Sequence, residues 1–523
     1  LHTVFDAPTD KIIYDVSHQC YPHKMLTGRA AAYLDPAHYG EVSGFTNTEE
    51  SPYDHFNIGH TSTSISLATG RSENVVAFIG DGALSGGEAL EGLNVAGEMR
   101  SNLIIILNDN DWSISENHGG MYEMLRRLRE TNGTAADNLF RAMGLDYRYV
   151  ADGNDTEALI AAFAAVKDSQ KPVVIHIHTQ KGKGLSFAED DPEDWHRHAP
   201  FHTESGAVKH PFSPDPCLAA TIDFVLAEAK RNPNFVYLSA GIVGGIGLTP
   251  AERAELGAQY VDVGIAEEHA VAMASGLARG GARPVFGTYS TFYQRTYDQM
   301  AQDVCINRSP AVFLVTGASL YRSTDMTHLG FYDISIFSHV PNLVFLAPTS
   351  IEEHLAVLRW AIAQTEHPVM IRTPLGGYAE SPYPVRADYS ALHRSIVVTE
   401  GAEVALIGVG NFAALATAAA EELARDGIHA TVVNPLYLSG LDEALLTRLK
   451  EKHRLIVTVE DGILDGGFGE KIAAFYGADR DVEVKSYGLP KAFFNRYDPA
   501  ALARAHHLTA PQIAADLRVR LRS

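Results

Sequence analysis

The sequence predicts an α/β protein built as three doubly wound β/α domains with mostly parallel sheets. Three observations carry this. Strand-length runs of β-branched and aliphatic residues recur along the 523 residues, among them "NVVAFIG" (74–80), "NLIIILND" (102–109), "PVVIHIHT" (172–179), "AVFLVTG" (311–317), "PVMIRTP" (368–374), "VALIGVG" (404–410) and "LIVTVED" (455–461). Their apolarity is continuous rather than alternating, as expected of parallel strands covered on both faces. Amphipathic helical patterns separate them, which is the βαβ rhythm of an α/β sheet.

Helix starts are marked in the sequence. Thr249-Pro250-Ala251-Glu252 offers an N-cap, a first-turn proline and an acid at N3, and Ser350 through Glu353 predicts a capping box before "HLAVLRWAIAQ". Two turn-rich stretches without periodicity, 202–216 and 376–395, read as linkers. They divide the chain into domains at 1–201, 217–378 and 396–523. The first residues, "LHTVFDAPTDKIIYDVSHQ", read as the middle of a domain, so the first domain is expected to be truncated at its N-terminus.

Composition narrows the function. The formal charge of −22 opposes a general nucleic-acid or anionic-membrane binder, both of which need basic surface. Three scattered cysteines, Cys20, Cys217 and Cys305, are too few for a disulfide frame or a cysteine-based zinc site, and suit a reducing, cytoplasmic setting. No apolar run reaches the roughly 18 residues of a membrane span.

The stretch "GDGALSGGEALEGLNVAGEMRSNLIIILNDNDWS" (80–113) points to chemistry. In a parallel β/α sheet, ligands bind beyond the carboxyl ends of the strands. Asp81 and Asn110 both fall there, at the tips of successive strands. A carboxylate with a carboxamide is a hard-oxygen pair suited to Mg²⁺, which keeps few protein ligands and completes its octahedron with water and phosphate oxygens. Gly80 and Gly82 let backbone approach a diphosphate closely.

GDG followed about thirty residues later by a terminal Asn resembles the thiamine-diphosphate signature, and the wording of the whole stretch is similar to the 1-deoxy-D-xylulose-5-phosphate synthase family of transketolase-like enzymes. The resemblance runs through "YDVSHQCYPHKMLTGR" (14–29), "GHTSTSIS" (59–66), "KGKG" (181–184), "VDVGIAEEHAVAMASGLA" (261–278) and "YSTFYQRTYDQ" (289–299). It implies a transketolase-like thiamine-diphosphate-binding fold, with a diphosphate- and Mg²⁺-binding domain, a pyrimidine-binding domain and a transketolase C-terminal domain. It also implies a homodimer with thiamine diphosphate and Mg²⁺ as cofactors and a 2-keto acid and an aldehyde as partners. No nucleic-acid or membrane partner is expected.

The implied roles fall on numbered residues. Asp81 and Asn110, with the Trp112 carbonyl, match the metal ligands. Gly59, His60, Ser62, Gly80, Gly82 and Lys181 match diphosphate-side positions. Glu267 matches the glutamate that contacts the aminopyrimidine and favours its imino tautomer. Tyr289 and Phe292 match residues lining that ring. His18, His60, His196 and His328 match active-site histidines, and His18, Tyr289, Arg295, Arg322 and His328 are the expected substrate contacts. The implied reaction joins pyruvate to glyceraldehyde 3-phosphate with loss of CO₂.

Departures are equally specific. Gly317 and Leu375 stand where the family carries arginines that contact the acceptor phosphate, and Ser17 stands where it carries glycine. A bidentate arginine–phosphate contact is a strong one, so an alternative expectation is a related carboligase whose aldehyde acceptor differs and lacks phosphate. A third is a degenerate binding protein that keeps only the fold; retention of Asp81, Asn110 and Glu267 together opposes it.

Overall fold

The computed structural model describes residues 1–69, 74–210, 215–321, 323–374, 378 and 380–522. The chain divides into two compact units. One comprises Leu1–Ser213 with Gly264–Ala266, the other Pro214–Val263 with Glu267–Ser523.

The first unit holds a five-stranded sheet of β1 (Lys11–Tyr14), β2 (Val75–Gly80), β3 (Leu103–Asp109), β4 (Asp146–Val150) and β5 (Val173–His178), in the order β1-β2-β3-β5-β4 and parallel throughout. Successive residues of one strand enter different cores. Ile105 and Leu107 join Val75, Ala77 and Ile79 on one face, whereas Ile104 and Ile106 join Val76, Ile175 and Ile177 on the other. Both faces are apolar and covered, which is why the run "LIIIL" is continuous.

The second unit holds two sheets. The first contains β6 (Phe235–Ser239), β7 (Tyr260–Asp262), β8 (Arg283–Tyr289), β9 (Val312–Ala318), β10 (Val344–Leu346) and β11 (Val369–Pro374), ordered β10-β11-β9-β8-β6-β7 and all parallel. The other contains β12 (Ile396–Thr399), β13 (Glu403–Gly408), β14 (Thr431–Asn434), β15 (His453–Ile463) and β16 (Glu483–Leu489), ordered β12-β14-β13-β15-β16. Only its edge strand β12 runs antiparallel, against β14. One continuous core takes Phe313, Val315 and Met370 from the first sheet and Ala405, Ile407 and Val433 from the second.

Two details differ from the sequence reading. Thr249 and Glu252 form the expected reciprocal capping box. Ser350, however, forms only half of one: its hydroxyl accepts the Glu353 N–H, but the Glu353 carboxylate accepts the N–H of Thr349 at 2.8 Å, one residue earlier. That carboxylate is buried and also meets Asn434 of β14, so tertiary partners redirect it. Strands such as β4 ("DYRYV") and β16 ("EVKSYGL") carry too many polar residues to show as apolar runs; both lie at sheet edges, where one side is wet.

Candidate active site

In the first unit, three neighbouring strands end together. Beyond β1 comes His18, beyond β2 Asp81, beyond β3 Asn110. Asp81 opens a short helix, Asp81–Leu84, and is only 2% exposed. Its Oδ1 accepts the Gly82 N–H at 2.9 Å and its Oδ2 the Asn110 N–H at 3.0 Å. Among the described residues it enters no ion pair, so a buried carboxylate is served by two neutral donors. Burial, and then the nearby Asp109 carboxylate, raise its pKa well above the usual carboxylate range. Asp109 is held below that range despite burial, because His176 and Arg129 stabilise its charge, at 2.8 and 2.6 Å.

Asn110 is turned by Asp111, whose φ of 67° lies in the left-handed region, and its Oδ1 accepts the Trp112 N–H at 3.1 Å. Two hydrogen bonds thus link Asp81, Asn110 and Trp112 in series. Each carboxylate oxygen accepting one N–H keeps a further acceptor position. No group of three His, Cys, Asp or Glu residues suited to a metal occurs among the described residues. Asp81, Asn110 and the Trp112 carbonyl offer oxygen atoms only, a sparse hard-oxygen set of the kind that fits a Mg²⁺ ion carrying phosphate and water ligands.

The glycines divide by role. A Cβ on Gly82 would lie 2.7 Å from the Ser113 Cβ, so this glycine allows the two strand ends to pack. A Cβ on Gly80 would meet no atom within 4 Å, so packing does not require that glycine; the strand tip stands open, as a diphosphate cradle needs.

Lys181, beyond β5, donates to the Ser113 carbonyl at 2.6 Å, and its ammonium lies 5.8 Å from the centre of the Trp112 ring. Burial lowers its pKa to about 8, partly opposed by Asp81 and Glu193. The rings of His18 and His196 are 5.7 Å apart, with His18 exposed and His196 half-buried. Burial, then Lys181 and His18, push the His196 pKa down to about 3, so that ring is a neutral donor or acceptor. Gly59 and His60 follow the Thr46–Ile58 bridge, and Ser62 donates from its hydroxyl to the Ala83 carbonyl at 2.7 Å. A cavity of about 620 Å³ opens beside these strand ends, lined by Asn110, Trp112, Asp152, His178, Lys181 and Glu189 among others.

The second unit gathers the remaining set. Glu267 begins the helix Glu267–Arg279 and is 2% exposed. Burial raises its pKa to about 7, and Arg295, whose Nη1 lies 3.5 Å from its Oε2, limits the rise. Tyr289 ends β8, and its ring stacks with Phe292 at 5.8 Å and 29°. His328 stands edge-on to Phe292 at 5.7 Å, with its Nδ1 2.8 Å from the Thr327 hydroxyl. Gly317 is buried near the end of β9 with φ 66°. Gly330 packs onto it so closely that a Cβ there would be 2.2 Å from the Gly317 carbonyl oxygen. Arg322 and Leu375 lie outside the described residues. Arg372, the arginine kept in "IRTP", is fully buried against Asp333 and Asp461.

Sequence reasoning missed the charged cluster beside Asp81 and the anchor before His18. Asp109, His176 and Arg129 form the first. The signal was a histidine inside the apolar run "VVIHIH", a residue type that enters a buried strand only with a partner. Asp15 is the second: its carboxylate accepts the N–H groups of Ser62 and Ser64 at 2.8 and 2.9 Å.

Comparison with known proteins identifies the family and the fold. The family model for 1-deoxy-D-xylulose-5-phosphate synthase matches residues 1–138 and 129–179, that for the transketolase pyrimidine-binding domain residues 219–379, and that for the transketolase C-terminal domain residues 394–513. The chain is 36% identical to the 1-deoxy-D-xylulose-5-phosphate synthase of Desulforudis audaxviator, and 37% to that of Thermomicrobium roseum, each over 98% of this chain and 88% of that protein. Among solved structures, a transketolase from Campylobacter jejuni aligns over 98% of this chain and 92% of its own, with TM-score 0.50 and 16% identity. A split-gene transketolase aligns over 58% of this chain and 98% of its own, with TM-score 0.51 and 24% identity. These structures share the fold; the sequence relatives go further, and the chain belongs to the 1-deoxy-D-xylulose-5-phosphate synthase family.

Proposed function

We propose that the protein is a transferase, dependent on thiamine diphosphate and Mg²⁺, that joins pyruvate to glyceraldehyde 3-phosphate, giving 1-deoxy-D-xylulose 5-phosphate and CO₂. The observation that carries the cofactor assignment is Asp81, a buried carboxylate with no ion-pair partner among the described residues. When bound, thiamine diphosphate supplies the carbon nucleophile and the electron sink for decarboxylation. Asp81, Asn110 and the Trp112 carbonyl would hold the metal, and Lys181 and the Gly80–Gly82 turn would meet the diphosphate. Glu267 would face the aminopyrimidine ring nitrogen, where a carboxyl group with a pKa of about 7 can hold or release a proton in neutral solution. Tyr289 and Phe292 form an apolar wall against that ring, and His18, His60, His196 and His328 orient the keto acid and aldehyde. The same reading assigns residues 1–201 to diphosphate and metal, 217–378 to the pyrimidine and 396–523 to the C-terminal domain, in a cytoplasmic homodimer.

The test is pyruvate-dependent CO₂ release by purified protein supplied with cofactor, Mg²⁺ and glyceraldehyde 3-phosphate. Release that requires all four components is expected, and its absence refutes the proposal. A second reading, an unphosphorylated aldehyde acceptor, draws on Gly317: a buried glycine overlain by Gly330 offers no cation at that strand end. A panel of aldehydes separates the two. A large preference for the phosphorylated aldehyde ends the second reading.

A further inference from the structure

The chain leaves β1 through a strained turn. Val16 and Ser17 have φ of 54° and 69°, two successive non-glycine residues in the left-handed region, one of them β-branched. Such strain persists only where surrounding structure enforces it, and it concentrates at functional sites. Here the enforcing contacts are visible. The Ser17 hydroxyl donates to the Ile58 carbonyl at 2.6 Å and accepts the Thr46 N–H at 2.8 Å. Residues 46 and 58 themselves form an antiparallel bridge. One residue before the turn, Asp15 ties down the amides of Ser62 and Ser64, and Ser62, itself at φ 75°, reaches the Ala83 carbonyl. Asp15 and Ser17 are fully buried, and the next residue, His18, is exposed.

We propose that Ser17 is a positioning residue: its hydroxyl clamps the turn that aims His18 to the 46–58 bridge that leads into His60. Both histidines are thereby set by one buried oxygen. Glycine at this position relieves the backbone but cannot make the clamp; serine makes the clamp and so tolerates the backbone. The proposal rests on the assignment of His18 and His60 to the ligand-facing side of the reaction above.

Two variants test it, Ser17→Ala and Ser17→Gly, read by steady-state kinetics in the holoenzyme, by calorimetric titration with thiamine diphosphate and Mg²⁺, and by amide hydrogen exchange at Thr46 in the apoprotein. Ser17→Ala keeps the strain and loses both bonds. Thr46 exchange then rises, and either the KM for pyruvate or the cofactor Kd rises roughly tenfold, on the scale at which small misplacements act. Ser17→Gly, freed of strain, shows the same changes to a smaller degree. A residue that merely stabilised the fold would lower kcat through the folded fraction and leave KM and Kd unchanged. Wild-type KM and Kd in Ser17→Ala overturn the proposal, and so does a change in them without faster exchange at Thr46. If the unmodified protein turns over no pyruvate, the catalytic assignment fails instead, while the exchange and titration arms still decide the clamp.

Discussion

Asp81 and Arg372 are both ionisable groups removed from water, and they are treated in opposite ways. Arg372, on β11, donates from Nε to Asp333 and from Nη1 to Asp461 of β15, each at 2.7 Å, with all three side chains fully buried. This cluster links the two sheets of the second unit, charge against charge. Among the described residues Asp81 accepts only backbone N–H groups, while its neighbour Asp109 forms the ion pairs with Arg129 and His176, and Lys181 acts on Asp81 from a distance. Taking a charge out of water costs several kcal/mol unless a partner offsets it. Where the partner is a side chain, the cluster is structural. Where no side chain among the described residues is the partner, as at Asp81, the proposed function has a bound cation take that place. Glu267 lies between these cases: buried, with an arginine at 3.5 Å that is too distant for a close pair.

The largest expected effect sharpens that intermediate case. Glu267→Gln should lower kcat by about 10²–10⁴-fold, the range for a positioned acid–base group. The same change should stabilise the apoprotein at alkaline pH. The folded-state pKa of about 7 lies above the ordinary glutamate value, so this residue's contribution to stability is fully present below about pH 4.5 and is lost as pH rises through 7. The glutamine variant removes that loss, so thermal unfolding at pH 8 should rise by up to about 3 kcal/mol, judged at roughly 1.4 kcal/mol per pKa unit, and should match the unmodified protein near pH 4.5. Equal melting at both pH values breaks the argument.

Next in size, Arg372→Met strands two buried carboxylates and should cost about 3–5 kcal/mol of stability. Thiamine diphosphate affinity of the protein that remains folded should be unchanged. Adding Asp333→Asn and Asp461→Asn should recover most of the loss in denaturant unfolding. A triple variant no more stable than the single one would show that the cluster does more than balance charge.

Lys181→Met is the smallest of these effects. Removing the ammonium that holds the Ser113 carbonyl should weaken cofactor binding about tenfold, as loss of a single charge-assisted contact does. In the unmodified protein, affinity should fall as pH rises past about 8, where this lysine loses its proton, and the variant's affinity should be flat across that range. Calorimetric titration from pH 7 to 9 checks both.

The contrast between Asp81 and Arg372 also explains what could be read from the chain beforehand. "GDG" and "NDN" sit at strand ends fixed by continuous apolar runs, so the positions of Asp81 and Asn110 followed from local pattern alone. Glu267 was legible only through the wording of its motif, because a helix first-turn acid is common for reasons of the dipole. The pairing of Arg372 with Asp461 joins residues 89 positions apart on different sheets, and no periodicity encodes it. The Ser17 clamp was hidden for the same reason: its partners, Thr46 and Ile58, are 29 and 41 residues away. Edge strands β4 and β16 escaped because their polar residues face water and blur the apolar run.

On this reading, the positive charge that Asp81 lacks from ion pairs among the described residues comes from a Mg²⁺ ion that also binds the diphosphate. Calorimetric titration of thiamine diphosphate into the unmodified protein and into Asp81→Asn, each with Mg²⁺ and with chelator, tests it most directly. Tight binding that requires Mg²⁺ is expected in the unmodified protein, and affinity weaker on the order of 100-fold and indifferent to Mg²⁺ in the variant, with its thermal stability undiminished. Equal, Mg²⁺-dependent affinity in both proteins would contradict it.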